Sequence, residues 1–311
     1  MSSDARIFFL LNAKSGGQGT ARVIEGLLNF ARTAPDIRVA VLDPANIDQQ
    51  IAEAHSADTV VIGGGDGTIS RLIGNFQTHR RIGFLPLGTG NDLGRELGMP
   101  PLPAFFNPQF CVNFFSSLQP KSFALGMLEA NNGVKSYFLN YISFGFDGMV
   151  VETFSRMRSQ GLFLKYRGVW SNRLAYGLAG MRHVAYQIPP GTVLTNLDTA
   201  QKLVLSGTKS LVIANIQSML GLGKSNLESS AEDNLLEAVS VGSLLDYSRM
   251  VLGAKISPLS LKPFGSADAW ELETFGASNL PVQIDGEPRQ DLSATRFRFS
   301  IVGRVGILGV N

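Results

Sequence analysis

Cysteine is almost absent: Cys111 stands alone in 311 residues. No intramolecular disulfide can form, which fits a reducing compartment. Such a lone cysteine reads as a small buried hydrophobe. Histidine is nearly as scarce, and His55, His79 and His183 are scattered, so a His/Cys metal site is not expected. Excess charge is missing as well. The formal net charge is only +2, so bulk charge gives no argument for a nucleic-acid partner, and any basic surface must be local. Long apolar runs are lacking. None approaches the ~18 residues of a membrane-spanning helix, and Ile7–Leu11 is too short for a signal-peptide core. The expectation is a cytoplasmic chain whose contact with membranes is peripheral.

What is present is a globular composition, 44% hydrophobic and 17% charged, with 34 glycines. So much glycine points to tight turns or sites lined by backbone. The first hundred residues alternate short apolar runs with helical patterns. Arg6–Leu11, Val39–Leu42, Thr59–Ile62 and Ile82–Leu87 read as strands, separated by helices around Val23–Ala31, Ile47–His55 and up to Phe76. Strands separated by helices imply βαβ units and a parallel sheet, with ligands beyond the strand C-termini.

The composition changes at the Pro-rich stretch Met99–Pro103. From Lys121 onward the pattern is strand-rich: Ser122–Glu129, Lys135–Phe144, Gln201–Leu205, Lys209–Asn215, Leu236–Val241, Trp270–Thr274, Pro281–Ile284 and Arg296–Ile301, with a helical stretch over Met149–His183. The fold class is α/β. Residues 1–120 are expected to form a Rossmann-like βα domain and residues 121–311 a β-rich domain, sandwich or barrel. Whether the final strand returns to the first domain is not decided by the sequence.

Three Gly-rich loops lie at strand C-termini. Gly63-Gly64-Gly65-Asp66-Gly67-Thr68 follows a buried strand and opens a helix. Its glycines let backbone N–H groups approach a phosphate, and the helix adds its positive N-terminus. A carboxylate beside phosphates is repelled unless it serves a cation or a substrate hydroxyl. Asp66 is therefore read as a Mg²⁺ organiser, with a helix cap or turn as its plain alternative. The loop Asn12-Ala13-Lys14-Ser15-Gly16-Gly17 supplies a cation and backbone donors, but matches neither GxxxxGK[ST] nor GxGxxG. A capping turn is its alternative. The third loop, Gly88-Thr89-Gly90-Asn91-Asp92, adds a hydroxyl and a second carboxylate; Asp92 reads equally as a cap before Leu93–Leu97.

Together these loops carry a resemblance. NAKSGGQG, GGGDGT and PLGTGNDLGRELG are similar to the catalytic domain of the diacylglycerol kinase family. The GGDGT core is shared more widely, with sphingosine kinases, NAD kinases and phosphofructokinases. GTGNDL discriminates, since sphingosine kinases tend to have GSGNAL. Asn140–Asp147, Asn172-Arg173 with Tyr176, and Ile284-Asp285-Gly286-Glu287-Pro288 resemble later parts of the same unit. Ala13 departs from the usual proline, and Gly148 from a typical alanine. Asp233-Asn234-Leu235 stands where bacterial relatives often have Asp-Gly-Leu at a structural Mg²⁺ site, but Ser230 precedes it in place of lysine. No zinc-finger or EF-hand module precedes the motifs, so control by such domains is not expected within this chain.

The resemblance implies an NAD kinase- or phosphofructokinase-like first domain and an ATP-dependent lipid kinase with Mg²⁺, acting on diacylglycerol. Asn12, Ala13, Lys14, Ser15, Gly16, Gly64, Gly65, Asp66, Gly67, Thr68, Thr89, Gly90 and Asn91 would hold ATP. Asp66 and Asp92 would organise Mg²⁺ or the acceptor hydroxyl, Glu287 would be the general base with Asp285 in support, and Asp233 would hold a structural metal. The 284–288 block has a plain Asp-Gly hairpin turn as its alternative, which the upstream motifs weigh against, and Asp147 is either a substrate-side carboxylate or a buried structural one. Lipid is expected to enter between the two halves. Residues 152–183 mix Arg156, Arg158, Lys165, Arg167, Arg173 and Arg182 with aromatic residues such as Tyr166 and Trp170. Such a stretch suits an anionic interface or, equally, a solvated helix face. Two rivals stay open: another lipid alcohol, such as a sphingoid base or monoacylglycerol, and a non-catalytic binding protein. The number of carboxylates argues against the second. Oligomeric state is not legible.

Overall fold

The computed structural model describes residues 6–88, 90–159, 178–180, 182–219, 223–224, 229–243, 262–275 and 280–310. The chain divides into two compact units: Met1–Phe123 with Arg304–Asn311, and Ala124–Gly303.

The first unit is built on a parallel sheet. Strands β1 (Ile7–Leu11), β2 (Ile37–Val41), β3 (Thr59–Gly64) and β4 (Ile82–Pro86) lie in the order β2-β1-β3-β4. The strand Arg296–Gly309 adds itself in parallel beside β4, with Ile307 opposite Ile82. Every residue of β1, β3 and β4 is buried. Unbroken apolar runs of this kind belong to strands covered on both faces. Helix α1 (Gln18–Ala31) buries Thr20, Val23, Ile24 and Leu27, the spacing of one helical face. It shares one core with α5 (Pro108–Ser117), Phe105 and the β1 side chains Phe9 and Leu11. Cys111 lies fully buried there, and burial pushes its thiol well above the usual range, as expected of an inert core cysteine. Helices α2 (Ile47–Ala54) and α3 (Asp66–Ile73) lie against β1 and β3, and the short α4 (Asp92–Glu96) follows β4.

The second unit is a sandwich. Strands β5 (Gln119–Ala130) and β6 (Lys135–Phe138) pair as an antiparallel hairpin, and β7 (Tyr141–Gly145) leads into α6 (Phe146–Ser159). One sheet runs Lys262–Ala267, Leu236–Val241, Ser210–Ala214, β7, Val282–Ile284, Glu287–Pro288. The other includes Arg296–Ser300, Ala269–Glu273, Val193–Asn196 and Lys202–Val204, all antiparallel. Their inner faces form one core. Phe144 meets Phe297 and Phe299 with ring centroids 5.1 and 5.4 Å apart, contacts worth about 0.5–1.5 kcal/mol each beyond their buried area. Trp270 crosses the core to donate its indole N–H to Leu236 O at 2.8 Å.

The apolar pattern over Lys135–Phe144 reads as one strand, but it is two. The break falls at Leu139-Asn140, whose backbone groups turn away from the sheet to partners described below. The last strand is much longer than the predicted Arg296–Ile301, and Val193–Asn196, Lys262–Ala267 and α5 were not among the elements expected from the sequence.

Candidate active site

The register places Leu11 opposite Gly63, and Gly63 opposite Leu85. The loops after β1, β3 and β4 therefore leave the sheet side by side at one level. They are stitched together: Asn12 N donates to Gly63 O at 2.8 Å, and Leu87 N to Gly64 O at 2.8 Å. Asn12 Nδ2 reaches Thr68 Oγ1 at 3.0 Å, with Ser15 Oγ 3.5 Å from the same hydroxyl. Thr20 Oγ1 donates to Leu87 O at 3.0 Å, tying the start of α1 to the third loop. Thr20 is a polar residue on the buried face of an amphipathic helix, the one signal that marks it in the sequence.

Glycine is required by space. Gly16 sits at φ +72°, where a Cβ would overlap the Leu87 carbonyl. A Cβ on Gly64 would come 2.5 Å from Thr68, and one on Gly88 would come 2.8 Å from Gly65 Cα. The second and third loops thus touch backbone to backbone. The residues before α1 and α3, Gly17 and Gly65, supply no side-chain cap. The first turns of both helices, at the positive ends of their dipoles, suit an anion. Gly67 is half-buried at the start of α3, Gly90 has open space around it, and Ala13 and Lys14 are exposed, with Lys14 N held by Asn12 Oδ1. Thr89 lies outside the described residues.

Asp66 is half-buried, and its carboxylate accepts from Asp92 N at 2.7 Å and Leu93 N at 3.3 Å. It is a helix cap, as one sequence reading had it, but for α4 and across the site. Asp92 is buried, and its Oδ1 accepts from Arg95 Nη1 at 2.7 Å. Asn91 holds φ +47° while its Nδ2 donates to Gly88 O at 2.6 Å. Its Oδ1 is buried without a hydrogen-bond partner. No group of three or more His, Cys, Asp or Glu side chains suited to a metal occurs among the described residues. Mg²⁺ in phosphoryl-transfer sites needs only one or two carboxylates, the rest coming from phosphate oxygens and water. Asp66 and Asp92 beside a glycine cradle fit that requirement.

In the second unit, Ile284 pairs with Glu287 across a two-residue turn. Asp285 (φ +48°) and Gly286 (φ +83°) both adopt the left-handed conformation that a tight hairpin demands. The hairpin reading of this block is therefore realised, with an addition. The buried Asp285 carboxylate accepts backbone N–H bonds from Leu139 at 2.9 Å, Asn140 at 3.0 Å and Tyr141 at 2.9 Å. The first two are the amides freed by the break between β6 and β7, and the third opens β7. Asn215 Nδ2 takes up Leu139 O at 2.7 Å. Asp285 is thus a pin for the backbone, while Glu287, next but one, is exposed. Asp147 is buried, accepting from Ser143 Oγ, the environment of a structural carboxylate.

Asp233 Oδ1 accepts from Leu235 N at 2.9 Å within its own turn. Burial pushes the neighbouring Glu237 carboxyl above the usual range; Ser229 partly offsets this and the charge of Asp233 adds to it. Asn172, Arg173, Tyr176, Lys165, Arg167, Tyr166 and Trp170 lie outside the described residues, as does the Arg158 side chain. No described helix is long and apolar enough to cross a membrane.

Comparison with known proteins gives consistent findings. The profile of the diacylglycerol kinase catalytic domain matches residues 6–111, and that of the diacylglycerol kinase accessory domain matches residues 137–288. A diacylglycerol kinase of Mycobacterium tuberculosis is 32% identical over 108 residues, 34% of this chain and 34% of that protein. This chain therefore aligns with about a third of the length of that relative. A Xanthomonas oryzae pv. oryzae protein named "Probable lipid kinase YegS-like" is 26% identical over 94% of this chain and 92% of its own. A crystal structure of a diacylglycerol kinase from Bacillus anthracis str. Sterne superposes over 100% of this chain and 98% of that one with a TM-score of 0.63; at 14% identity the likeness concerns the fold alone. With catalytic and accessory profiles matched in chain order, the chain belongs to the diacylglycerol kinase family of lipid kinases.

Proposed function

We propose that this chain transfers the γ-phosphate of ATP to the free hydroxyl of diacylglycerol, giving phosphatidic acid. The observation that carries this reading is the convergence of three Gly-rich loops around Asp66 at adjacent strand ends. Phosphoryl transfer needs positioning and charge neutralisation more than covalent chemistry. The backbone of Asn12–Gly16 and Gly64–Thr68 cradles phosphate oxygens, and the cap-free starts of α1 and α3 supply partial positive charge. Thr89, Gly90 and Asn91 complete the nucleotide contacts. Asp66, with Asp92 beside it, would hold Mg²⁺, which would supply charge neutralisation at the phosphates. Glu287 takes the proton of the acceptor hydroxyl, and Asp285 fixes the turn that carries it. Asp233 is assigned a second, structural Mg²⁺.

The test is transfer of labelled γ-phosphate to diacylglycerol in mixed micelles, with and without Mg²⁺, beside Glu287→Ala. Mg²⁺-dependent phosphatidic acid that is lost in the variant supports the reading. Product from a different lipid alcohol alone would keep the chemistry and change the substrate, a second reading favoured by the broader name of the Xanthomonas relative. Absence of product from every acceptor overturns it.

The chain works in this reading as a cytoplasmic protein at an anionic membrane surface, with no nucleic-acid partner. The basic and aromatic residues between 152 and 183 provide the contact. Liposome sedimentation checks this: Arg167→Glu and Trp170→Ala binding as well as the parent would remove the docking role.

A further inference from the structure

We propose that Gln283 is a positioning residue for Glu287, acting through the backbone of the turn between them; the inference rests on the role given to Glu287 above. Val282 and Ile284 point into the sandwich core, so Gln283 points to the opposite face, where α6 lies. It is fully buried there, as are Ser143, Ser210 and Asp147. A carboxylate only accepts hydrogen bonds, so the direction of the chain of bonds is set from Asp147 outward. Ser143 Oγ donates to Asp147 Oδ2. The same hydroxyl oxygen accepts from Gln283 Nε2 at 2.8 Å, which also lies 3.4 Å from Asp147 Oδ2. The amide oxygen of Gln283 is thereby turned the other way, and it accepts from Gly286 N at 2.7 Å.

The surroundings hold this chain rigid. Asp147 N donates to Ser210 Oγ at 2.9 Å. Gly148 brings α6 onto the strand itself: a Cβ there would stand 2.6 Å from Pro281 O. Gln290 Nε2, beyond the hairpin, donates to Glu152 Oε1 on α6 at 3.0 Å. An Asp-Gly turn of this geometry is already favoured by its own two residues. Here both turn residues are pinned from buried positions, Asp285 through its side chain and Gly286 through its N–H. Burying four polar side chains is costly unless all are satisfied. A surface hairpin gains nothing from that expense, whereas a base that must meet a hydroxyl at hydrogen-bond distance gains a fixed origin.

The test uses the full chain carrying Gln283→Met, which keeps side-chain length and removes both hydrogen-bonding ends. We expect kcat to fall about 10- to 100-fold with KM for ATP nearly unchanged. Amide exchange over residues 284–287 should rise about tenfold, while Leu139–Tyr141, held by Asp285, stay protected. The double variant with Glu287→Ala should be no slower than Glu287→Ala alone, since both act on one group. Ser143→Ala, which removes the middle of the chain without touching the turn, should shift kcat and exchange the same way by smaller factors. It decides the matter if Gln283→Met does not fold. Unchanged kcat or unchanged exchange in these variants overturns the inference alone. An unmodified chain that binds ATP but phosphorylates no lipid alcohol overturns the functional reading and this inference with it.

Discussion

Asp66 Oδ2 receives the backbone N–H of Asp92 at 2.7 Å, so a carboxylate at the end of one strand caps the helix that follows the next. The two acidic residues are thereby locked in one arrangement. Asp66→Asn keeps an acceptor for the Asp92 N–H, gives up only the longer 3.3 Å bond from Leu93 N and loses the charge. Its unfolding temperature should stay close to the parent's, while phosphoryl transfer falls at least about 100-fold. Asp66→Ala should additionally lose about 1 kcal/mol of stability as the cap disappears. Equal transfer by Asp66→Asn and the parent would remove Asp66 from the chemistry.

Gly16 holds a positive φ beneath the Leu87 carbonyl. Gly16→Ala adds a methyl group where the third loop already sits, and forces a residue with a Cβ into a left-handed conformation. Denaturant unfolding should show a loss of about 1–3 kcal/mol, and calorimetry should show weakened ATP binding. Retained affinity would mean that the first loop does not contact the nucleotide.

The Asp285-Glu287 pair separates stability from chemistry. Asp285→Asn turns an amide NH₂ toward backbone donors that the carboxylate now satisfies, at a cost of about 1–3 kcal/mol. Glu287→Gln, at an exposed position, should change stability by less than about 0.5 kcal/mol and abolish transfer. Thermal unfolding of both, set against their rates, checks the division.

Glu237 gives a pH signature. Its carboxyl is raised by burial; the Ser229 hydrogen bond partly offsets this, and the Asp233 charge adds a smaller push upward. The folded chain therefore holds this proton more tightly than the unfolded one. The stabilisation is complete below the unfolded value and is lost as pH rises through the folded value. Glu237→Gln should unfold at a higher temperature than the parent near pH 8, with the gap shrinking on acidification. A gap independent of pH would mean that Glu237 is not the group responsible. Mg²⁺ added near pH 8 should stabilise the parent but not Asp233→Asn; equal responses would free Asp233 of a metal.

The parallel sheet and its three loops were legible because β1, β3 and β4 are unbroken apolar runs that each lead into a Gly-rich loop, a local pattern. The β-rich second half was legible for a similar reason. What local pattern misses is partnership at a distance. Lys135–Phe144 reads as one strand because the residue that breaks it, Asp285, lies far along the chain. Asp66 as the cap of α4 was invisible for the same reason: capping rules look to the residue before a helix, and here that residue is Asn91. Gln283 resembles any polar residue alternating in a strand, and its role exists only once Ser143 and Gly286 are placed around it.

The pairing of Ile82 with Ile307 has a consequence for biosynthesis. As the chain emerges from the ribosome, β1 to β4 are complete early, but the flank of β4 stays bare until the whole sandwich and the strand beyond it have been translated. The first unit must therefore wait, partly assembled, with an exposed sheet edge open to wrong partners. A nascent chain stalled within the sandwich would present that edge to chaperones, and circular permutation that joins Arg304–Val310 directly to β1 should shorten the wait.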